Sequence, residues 1–448
     1  MATGPNESFR SVLVAKLDEA LDVRPPPSTE RRLHGALSLP GKATAAIGVR
    51  RAGKTTLLHQ VRSKRHDEGV ARERLPYVNF EDERIVGVTA AELHFLIEEY
   101  YRRYPRLRGT ETVTWCFDEI QVVAGWERFV RRLLDTEKID VFLSGSSAAL
   151  LSREIATAMR GRAWEVVILP FGFDEFLRHH QLEVPTAPDR LRVAQRSALE
   201  HAFLDFLVVG GFPEAQRLDT ASRARLLTDY VDVAVLRDVV ERHRVTNIVG
   251  LRWLVRHLLA NAGGLFSVEK FFRALKSQGV AISKGTLHEL LAQLEDCFLV
   301  RTLWMEATSE RQRMVHPRRA YPIDPGLISV FDRQRRANQG HALETAVFIE
   351  LERRRMAVTY VGTESGFEVD FLARGPDGTE ELIQVCADAS DPGVADRELR
   401  ALEEAGKAHP RATRRLLTAT RDALPRTVPK KVVAQAAYEW MLADPSTR

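Results

Sequence analysis

Gly48-Val49-Arg50-Arg51-Ala52-Gly53-Lys54-Thr55 is a complete G-x-x-x-x-G-K-[ST] run. It follows a short apolar stretch, Ala43–Gly48, that reads as a strand, and it opens a helical run, Thr55–Arg62. The residue types have a physical reason. Gly48 and Gly53 let the backbone wrap so that successive N–H groups face one phosphate, with a helix N-terminus behind them. Lys54 brings a point charge to the β- and γ-phosphates, and Thr55 offers a hydroxyl to Mg²⁺. Arg50, Arg51, Ala52 and Thr56 complete the candidate phosphate-binding set, and ATP with Mg²⁺ is the ligand the pattern implies.

Working outward, the runs Leu75–Phe80, Val113–Phe117, Asp140–Leu143 and Trp164–Leu169 are short, rich in β-branched or aromatic residues, and each is followed by a helical segment. That alternation predicts an α/β fold with a parallel sheet covered on both faces. The run Val113–Phe117 leads into Asp118-Glu119, with Asp118 sixty-four residues after Lys54. A strand ending in two carboxylates puts Asp118 where it can hold Mg²⁺ and Glu119 where it can orient and deprotonate water. The next strand ends in Ser144-Gly145-Ser146-Ser147, so Ser144 or Ser146 is the candidate sensor of a terminal phosphate. Arg160 and Arg162, on the short segment that follows, are candidates to act in trans on a neighbour's nucleotide.

After about Phe173 amphipathic helices replace the strands. The spacing predicts helices over Ile248–Asn261, Val268–Ser277 (N-cap Ser267) and Lys284–Asp296 (N-cap Ser283), then a strand over Phe298–Trp304 and a loop with a return strand through RQRMVHPRRAYPIDPGL. Three helices followed by a hairpin are the winged form of helix-turn-helix. From about Gly340 a second small α/β unit begins: a helix Leu343–Arg355, strands Val358–Val361, Phe367–Ala373 and Glu381–Cys386, a helix Asp396–Ala408, a strand Arg415–Thr420 and a last helix Val432–Leu442.

The whole chain, 448 residues with 44% hydrophobic and 28% charged, is long enough for more than one core. Three separated cysteines, Cys116, Cys297 and Cys386, argue against a disulfide framework or a thiolate zinc site and fit a reducing compartment. The start, MATGPNESFR, lacks an apolar leader core, and there is no uninterrupted apolar run of about eighteen residues, so a soluble cytoplasmic protein is expected. The formal net charge, +4, is too small by itself to point to nucleic acid.

The P-loop, FDEIQ (117–121), LSGSSAALLS (143–152), LPFGFDEF (169–176) and GGFPE (210–214) together resemble the AAA-type ATPases with a C-terminal DUF4143 region, close to the archaeal-ATPase branch of the P-loop superfamily. The likeness runs over almost the whole chain. It implies an N-terminal helical segment at 1–32, a P-loop AAA-type ATPase core at 33–205, a helical lid at 206–246, a winged-helix domain at 247–338 and a degenerate restriction-endonuclease-like domain at 339–448. In the PD-(D/E)XK pattern a helix offers an acid, one strand an Asp and the next a (D/E)-x-K. Glu344 and Asp370 match the first two positions, but Gln384 and Cys386 stand where a carboxylate and an ammonium belong. Loss of an anionic ligand and of the lysine weakens the case for a working nuclease.

From Arg301 to Gly340 eight basic residues face four acids, and Arg311, Arg313, Arg318 and Arg319 fall on the expected wing. With Lys284 at the start of the expected recognition helix, they suit contact with a DNA backbone; that helix otherwise carries three acids, which does not suit base reading. The expectation is a Mg²⁺-dependent ATP hydrolase, homo-oligomeric if an arginine works in trans, that acts as a DNA-associated motor or remodeller. A nucleotide-driven protein switch without a DNA role is the alternative, and an ATP-dependent nuclease the third.

Overall fold

Continuous apolar runs, rather than alternating ones, mark strands buried on both faces. Such runs build the first of two units, Met1–Ile168, of the computed structural model; the second is Leu169–Arg448. The structure describes residues 5–22, 24–145, 159, 161–332 and 338–443. In the first unit the elements run α1 Pro5–Asp22, β1 Ala43–Ile47, α2 Lys54–Asp67, β2 Tyr77–Asn79, α3 Ala90–Arg103, β3 Val113–Asp118, α4 Trp126–Thr136, β4 Ile139–Gly145 and β5 Ala163–Val167. Every residue of β1 and β3 is buried. Trp115, Phe117 and Phe142 are among the fully buried side chains that fill the layers. The strands pair in parallel in the order β2-β3-β4-β1-β5. Because β4 lies between β1 and β3, the C-terminal ends of these three strands meet at one edge of the sheet, where open α/β sheets bind ligands.

The second unit continues with α5 Phe173–His179, α6 Val193–Val209, α7 Thr220–Val233, α8 Ile248–Ala260, β6 Leu265–Phe266, α9 Val268–Ser277, α10 Lys284–Asp296, β7 Val300–Leu303, α11 Glu310–Val315, β8 Arg318–Pro322 and α12 Gly326–Phe331. After α7 the helix runs on over Ala234–Glu241 with wider i→i+5 turns. Ser267 Oγ accepts from the Lys270 N–H and Ser283 Oγ from the Thr286 N–H, so both predicted serine caps start their helices. Among the described residues β6, β8 and β7 form a small antiparallel sheet in that order. The chain ends with α13 Gln339–Arg353, β9 Ala357–Gly362, β10 Glu368–Arg374, β11 Glu380–Val385, α14 Pro392–Ala408, β12 Thr413–Thr418, β13 Val432–Ala436 and α15 Ala437–Leu442. Here β9, β10 and β11 are antiparallel neighbours, and β11, β12 and β13 are parallel ones.

Two expectations from sequence are corrected. The run Val432–Leu442, expected as one helix, is a strand to Ala436 and a helix only from Ala437, because β12 offers Val432–Ala436 a parallel partner. Residues 169–205 lie in the second unit. Within that unit the Tyr360 N–H donates to Trp304 O at 2.9 Å and the Glu306 N–H to Tyr360 O at 2.7 Å, so the β7 end is laced to β9. The expected loop before β8 contains α11.

The motifs at 169–176 and 210–214 have a structural explanation. The Phe171 N–H donates to Gly211 O at 2.7 Å. Asp324 accepts from the Gly211 N–H at 2.6 Å and from the Gly326 N–H at 2.9 Å. Gly210 has φ +77°, and a Cβ there would lie 1.8 Å from Asp324 Oδ1, so only glycine fits. Burial pushes the Asp324 carboxyl up to about 7, against the pull of those two N–H groups. Among the described residues no helix is long and apolar enough to cross a membrane.

Candidate functional site

The loop after β1 is shaped by backbone that few side chains tolerate. Gly48 has φ +145° and Gly53 φ +99°, and Arg51 takes φ 66° between them. A Cβ on Gly48 would stand 2.1 Å from Ile168 O, so the first glycine is required by close approach of the β5 end. α2 starts at Lys54 with no side chain capping its N-terminus, which leaves its first N–H groups turned into the loop. Lys54 is buried, and its ammonium donates to Gly48 O and to Val49 O, each at 3.0 Å, bracing the loop from within. Arg50 lies 3.7 Å from Glu81, and Thr56, next to Thr55, lies half-buried in the first turn of α2.

Asp118, the last residue of β3, is buried and takes three hydroxyl groups. Thr55 Oγ1 donates to its Oδ2 at 2.8 Å, Tyr77 OH to the same oxygen at 2.7 Å, and Ser144 Oγ to Oδ1. The Ser144 hydroxyl in turn accepts the Glu119 N–H at 3.0 Å. One strand end thus joins the residue after the loop lysine, the acid pair and the strand between them. Glu119 sits in the left-handed region, φ 52°, which swings its side chain out of line with β3, and Gln121 Nε2 donates to Glu119 Oε2. Burial raises the Glu119 carboxyl above its ordinary range, with Lys54 drawing it down. Such a raised carboxyl is the kind of group that takes a proton from water. His59 packs on Tyr77 with ring centroids 4.4 Å apart, and burial followed by Arg62 pushes it down to about 4, so it is neutral here.

The residues present fit Mg²⁺ and a triphosphate. The loop has the glycine geometry of an anion cradle, and Thr55 with Asp118 supplies a hydroxyl and a carboxylate oxygen, the hard donors Mg²⁺ takes alongside phosphates. Ser146 and Arg160 lie outside the described residues. Arg162 is described, and it is ion-paired with Asp135 of α4.

Tyr77 escaped the sequence reading. The only signal available was a tyrosine within the expected strand Leu75–Phe80.

In the second unit the four nuclease-pattern residues divide. Glu344 on α13 and Asp370 on β10 come together, at a place where the β9–β10 register shifts between Val369 and Leu372. Gln384 Oε1 accepts the Asp370 N–H at 3.2 Å, and Gln384 Nε2 donates to Glu398 at 2.6 Å. Cys386 turns instead to Asp388 O. The cation among these groups is Arg319. Its Nη1 donates to Glu344 Oε1 at 2.8 Å and to Asp370 Oδ1 at 2.9 Å, and its Nη2 to Glu368 Oε2 at 2.7 Å. Tyr321 OH also donates to Glu344, at 2.7 Å. Burial, then Glu344, pushes the Asp370 carboxyl above its ordinary range, with Arg319 opposing.

Arg319 is therefore no outward wing residue: it is 8% exposed and engaged inside. Its neighbour Arg318 lies 3.5 Å from the centre of the Trp304 ring, and Arg313 is 5.4 Å from the same ring. Lys284 is ion-paired with Glu269 on the surface, and Arg311 is exposed as well.

A parallel sheet in this order, with a phosphate loop on one strand and an acid pair two places away, makes the first unit an AAA-type P-loop ATPase domain. A family profile described as "AAA domain" matches residues 40–177. The chain belongs to the family of "Uncharacterized protein MJ1544" from Methanocaldococcus jannaschii, with which it is 34% identical over 375 residues, 82% of this chain and 80% of that protein. An "Uncharacterized protein" of Haemophilus influenzae is 31% identical over 331 residues, 74% of this chain and 79% of its own length. A second profile, "Domain of unknown function (DUF8612)", matches residues 200–337, where the resemblance had implied DUF4143. Among solved structures, the Walker-type ATPase PABY2304 of Pyrococcus abyssi aligns at TM-score 0.37 and 18% identity, covering 72% of this chain and 95% of that one. Cdc6p from Pyrobaculum aerophilum aligns at TM-score 0.24 and 13% identity, covering 73% and 93%.

Proposed function

We propose that the chain is a Mg²⁺-dependent ATP hydrolase in which nucleotide state changes conformation. The observation that carries the reading is the Asp118 carboxylate, which gathers the hydroxyls of Thr55, Tyr77 and Ser144 while Ser144 also holds the Glu119 N–H. In this reading the loop N–H groups hold the phosphates and Lys54 supplies charge to the terminal ones. Mg²⁺, when bound beside Thr55 and Asp118, neutralises charge on the phosphate oxygens. Glu119 takes the proton of the attacking water, and Ser144 carries any change at the terminal phosphate to both acids. The test is phosphate release with ATP and Mg²⁺: turnover is expected in the wild type and lost in Lys54→Ala and Glu119→Gln. An unaltered rate in either variant refutes the reading. If an arginine of a second copy completes the site, mass measurement will show an assembly that forms with ATP.

For the output of the cycle we favour action on a protein partner. Arg319 is internal, Lys284 is paired with Glu269 and Arg318 is spread over Trp304, which engages three of the five cations expected to meet a DNA backbone. The expected result is a partner that co-purifies with Glu119→Gln in ATP and not in ADP. A second reading, a DNA-associated motor, has its own support in the order α8-β6-α9-α10-β7-β8, that of a winged helix. It requires turnover stimulated by DNA, with stimulation falling steeply as salt rises. The mixed sheet β9–β13 with α13 fits a PD-(D/E)XK-like fold kept as scaffold. Arg319 among the acids, with Gln384 and Cys386 at the third motif, supports inactivity, and plasmid DNA should stay intact with Mg²⁺ or Mn²⁺.

A further inference from the structure

We propose that Arg31 is a positioning residue for the phosphate loop, acting through the Ala52–Gly53 peptide; this rests on the reading of that loop as nucleotide-binding. Arg31 lies upstream of β1, in a stretch without regular structure, yet it is 8% exposed. Its Nη1 donates to Ala52 O at 2.8 Å across a separation of 21 residues. The approach is fixed by a strap. Gln60 of α2 donates to Thr29 O at 2.7 Å and to Ser28 Oγ at 3.0 Å, and its Oε1 accepts the Arg31 N–H at 3.2 Å. The chain before Arg31 is thereby fastened along the same helix whose N-terminus closes the loop.

The consequence follows from peptide geometry. The C=O of Ala52 and the N–H of Gly53 belong to one planar trans peptide and point in opposite directions. A guanidinium that grips the carbonyl from one side therefore sets the N–H to the other. Gly53 needs such a restraint. With φ +99° and no Cβ, its backbone has freedom that no side chain limits, and it stands at the N-cap of α2 without a side-chain hydrogen bond. Arg31 Nη1 is also 3.4 Å from where a Gly53 Cβ would lie, so the guanidinium fills the outer side of the turn. Arg31 touches no phosphate in this account; it holds the donor that does.

The test uses the full chain and fluorescent ADP and ATP analogues, with Arg31→Ala, Arg31→Lys and Gln60→Ala. Loss of a charge-assisted hydrogen bond to a buried carbonyl is expected to weaken binding about tenfold or more in Arg31→Ala. The factor should be the same for both nucleotides, because the donor serves the phosphates they share. Arg31→Lys, which keeps a cationic donor, should recover most of the affinity, and Gln60→Ala, which loosens the strap, should weaken it about threefold. In turnover KM should rise while kcat stays within about twofold, the signature of lost uniform binding. Wild-type affinity in Arg31→Ala, a loss confined to ATP, or no recovery in Arg31→Lys overturns the proposal. Should Arg31→Ala fail to fold, wild-type affinity in Gln60→Ala does so instead. Failure of the wild type to bind either nucleotide refutes the underlying reading of the loop.

Discussion

The Ser144 hydroxyl donates to the Asp118 carboxylate, and its oxygen accepts the main-chain N–H of Glu119 at 3.0 Å. A single side chain on β4 thus touches both acids at the end of β3. Replacement by alanine removes the link and leaves a buried carboxylate oxygen without its donor, which costs about 1–3 kcal/mol. We expect Ser144→Ala to lower the melting temperature by several degrees. Phosphate release should fall by about tenfold or more, while the affinity for ATP stays within about threefold. Paired binding and turnover assays check this; a matched loss of affinity would mean that Ser144 shapes the loop rather than the acids.

The acid and the lysine should separate cleanly. Glu119→Gln keeps the shape of the side chain and removes the proposed base, so turnover should fall by about a hundredfold or more with ATP still bound. Lys54→Ala removes an ammonium that braces Gly48 O and Val49 O from inside the loop. It should weaken ATP binding and loosen the loop together. Equilibrium binding with Mg²⁺, followed by single-turnover phosphate release, distinguishes the two.

Much of this site was legible because its parts are local. The phosphate loop is one run of eight residues, and Asp118-Glu119 follows directly from a hydrophobic strand. What escaped depends on partners distant in sequence. Arg31 matters through a carbonyl on another segment, and Tyr77 through a carboxylate on the neighbouring strand. Arg319 was misread because a run of arginines looks the same on a wing and in a core; only the fold brings Glu344, Glu368 and Asp370 around it. Val432–Ala436 was misread for the same reason, since nothing within the run announces the parallel partner β12.

Arg319 should be the most costly single residue to remove from the second unit. The buried Asp370, the largely buried Glu344 and the half-exposed Glu368 share its guanidinium, and breaking a buried ion cluster on one side costs about 3–5 kcal/mol. Arg319→Met should show that loss in urea unfolding. The combination with Glu344→Gln and Asp370→Asn should recover a large part of it, because neutral partners no longer need a cation. A triple variant as unstable as the single one would show that Arg319 works through packing.

Asp324 gives the second unit a pH dependence with a definite sign. Its carboxyl is raised by burial from the ordinary 3.8 to about 7, so between about pH 4 and 7 the folded state binds a proton that the unfolded state releases. Stability from this group is therefore greatest below about pH 4 and falls as pH rises, by at most about 1.4 kcal/mol per pH unit. Asp370, also raised by burial and by Glu344, contributes with the same sign. Acids held low by arginines, such as Glu99 at about 2, lose their stabilisation only in stronger acid. Asp324→Asn removes one titration and leaves the others, so the comparison isolates it. The variant starts from a deficit, because an amide has one acceptor oxygen for the Gly211 and Gly326 N–H groups where the carboxyl, charged or protonated, has two. Its deficit, however, should be larger at pH 5 than at pH 7 by about 2 kcal/mol, since wild type gains from protonation and the variant does not. Urea unfolding at the two pH values reads this directly. An equal deficit at both would place the Asp324 carboxyl in the ordinary range, and the grip on Gly211 and Gly326 would then be that of a fully ionised group.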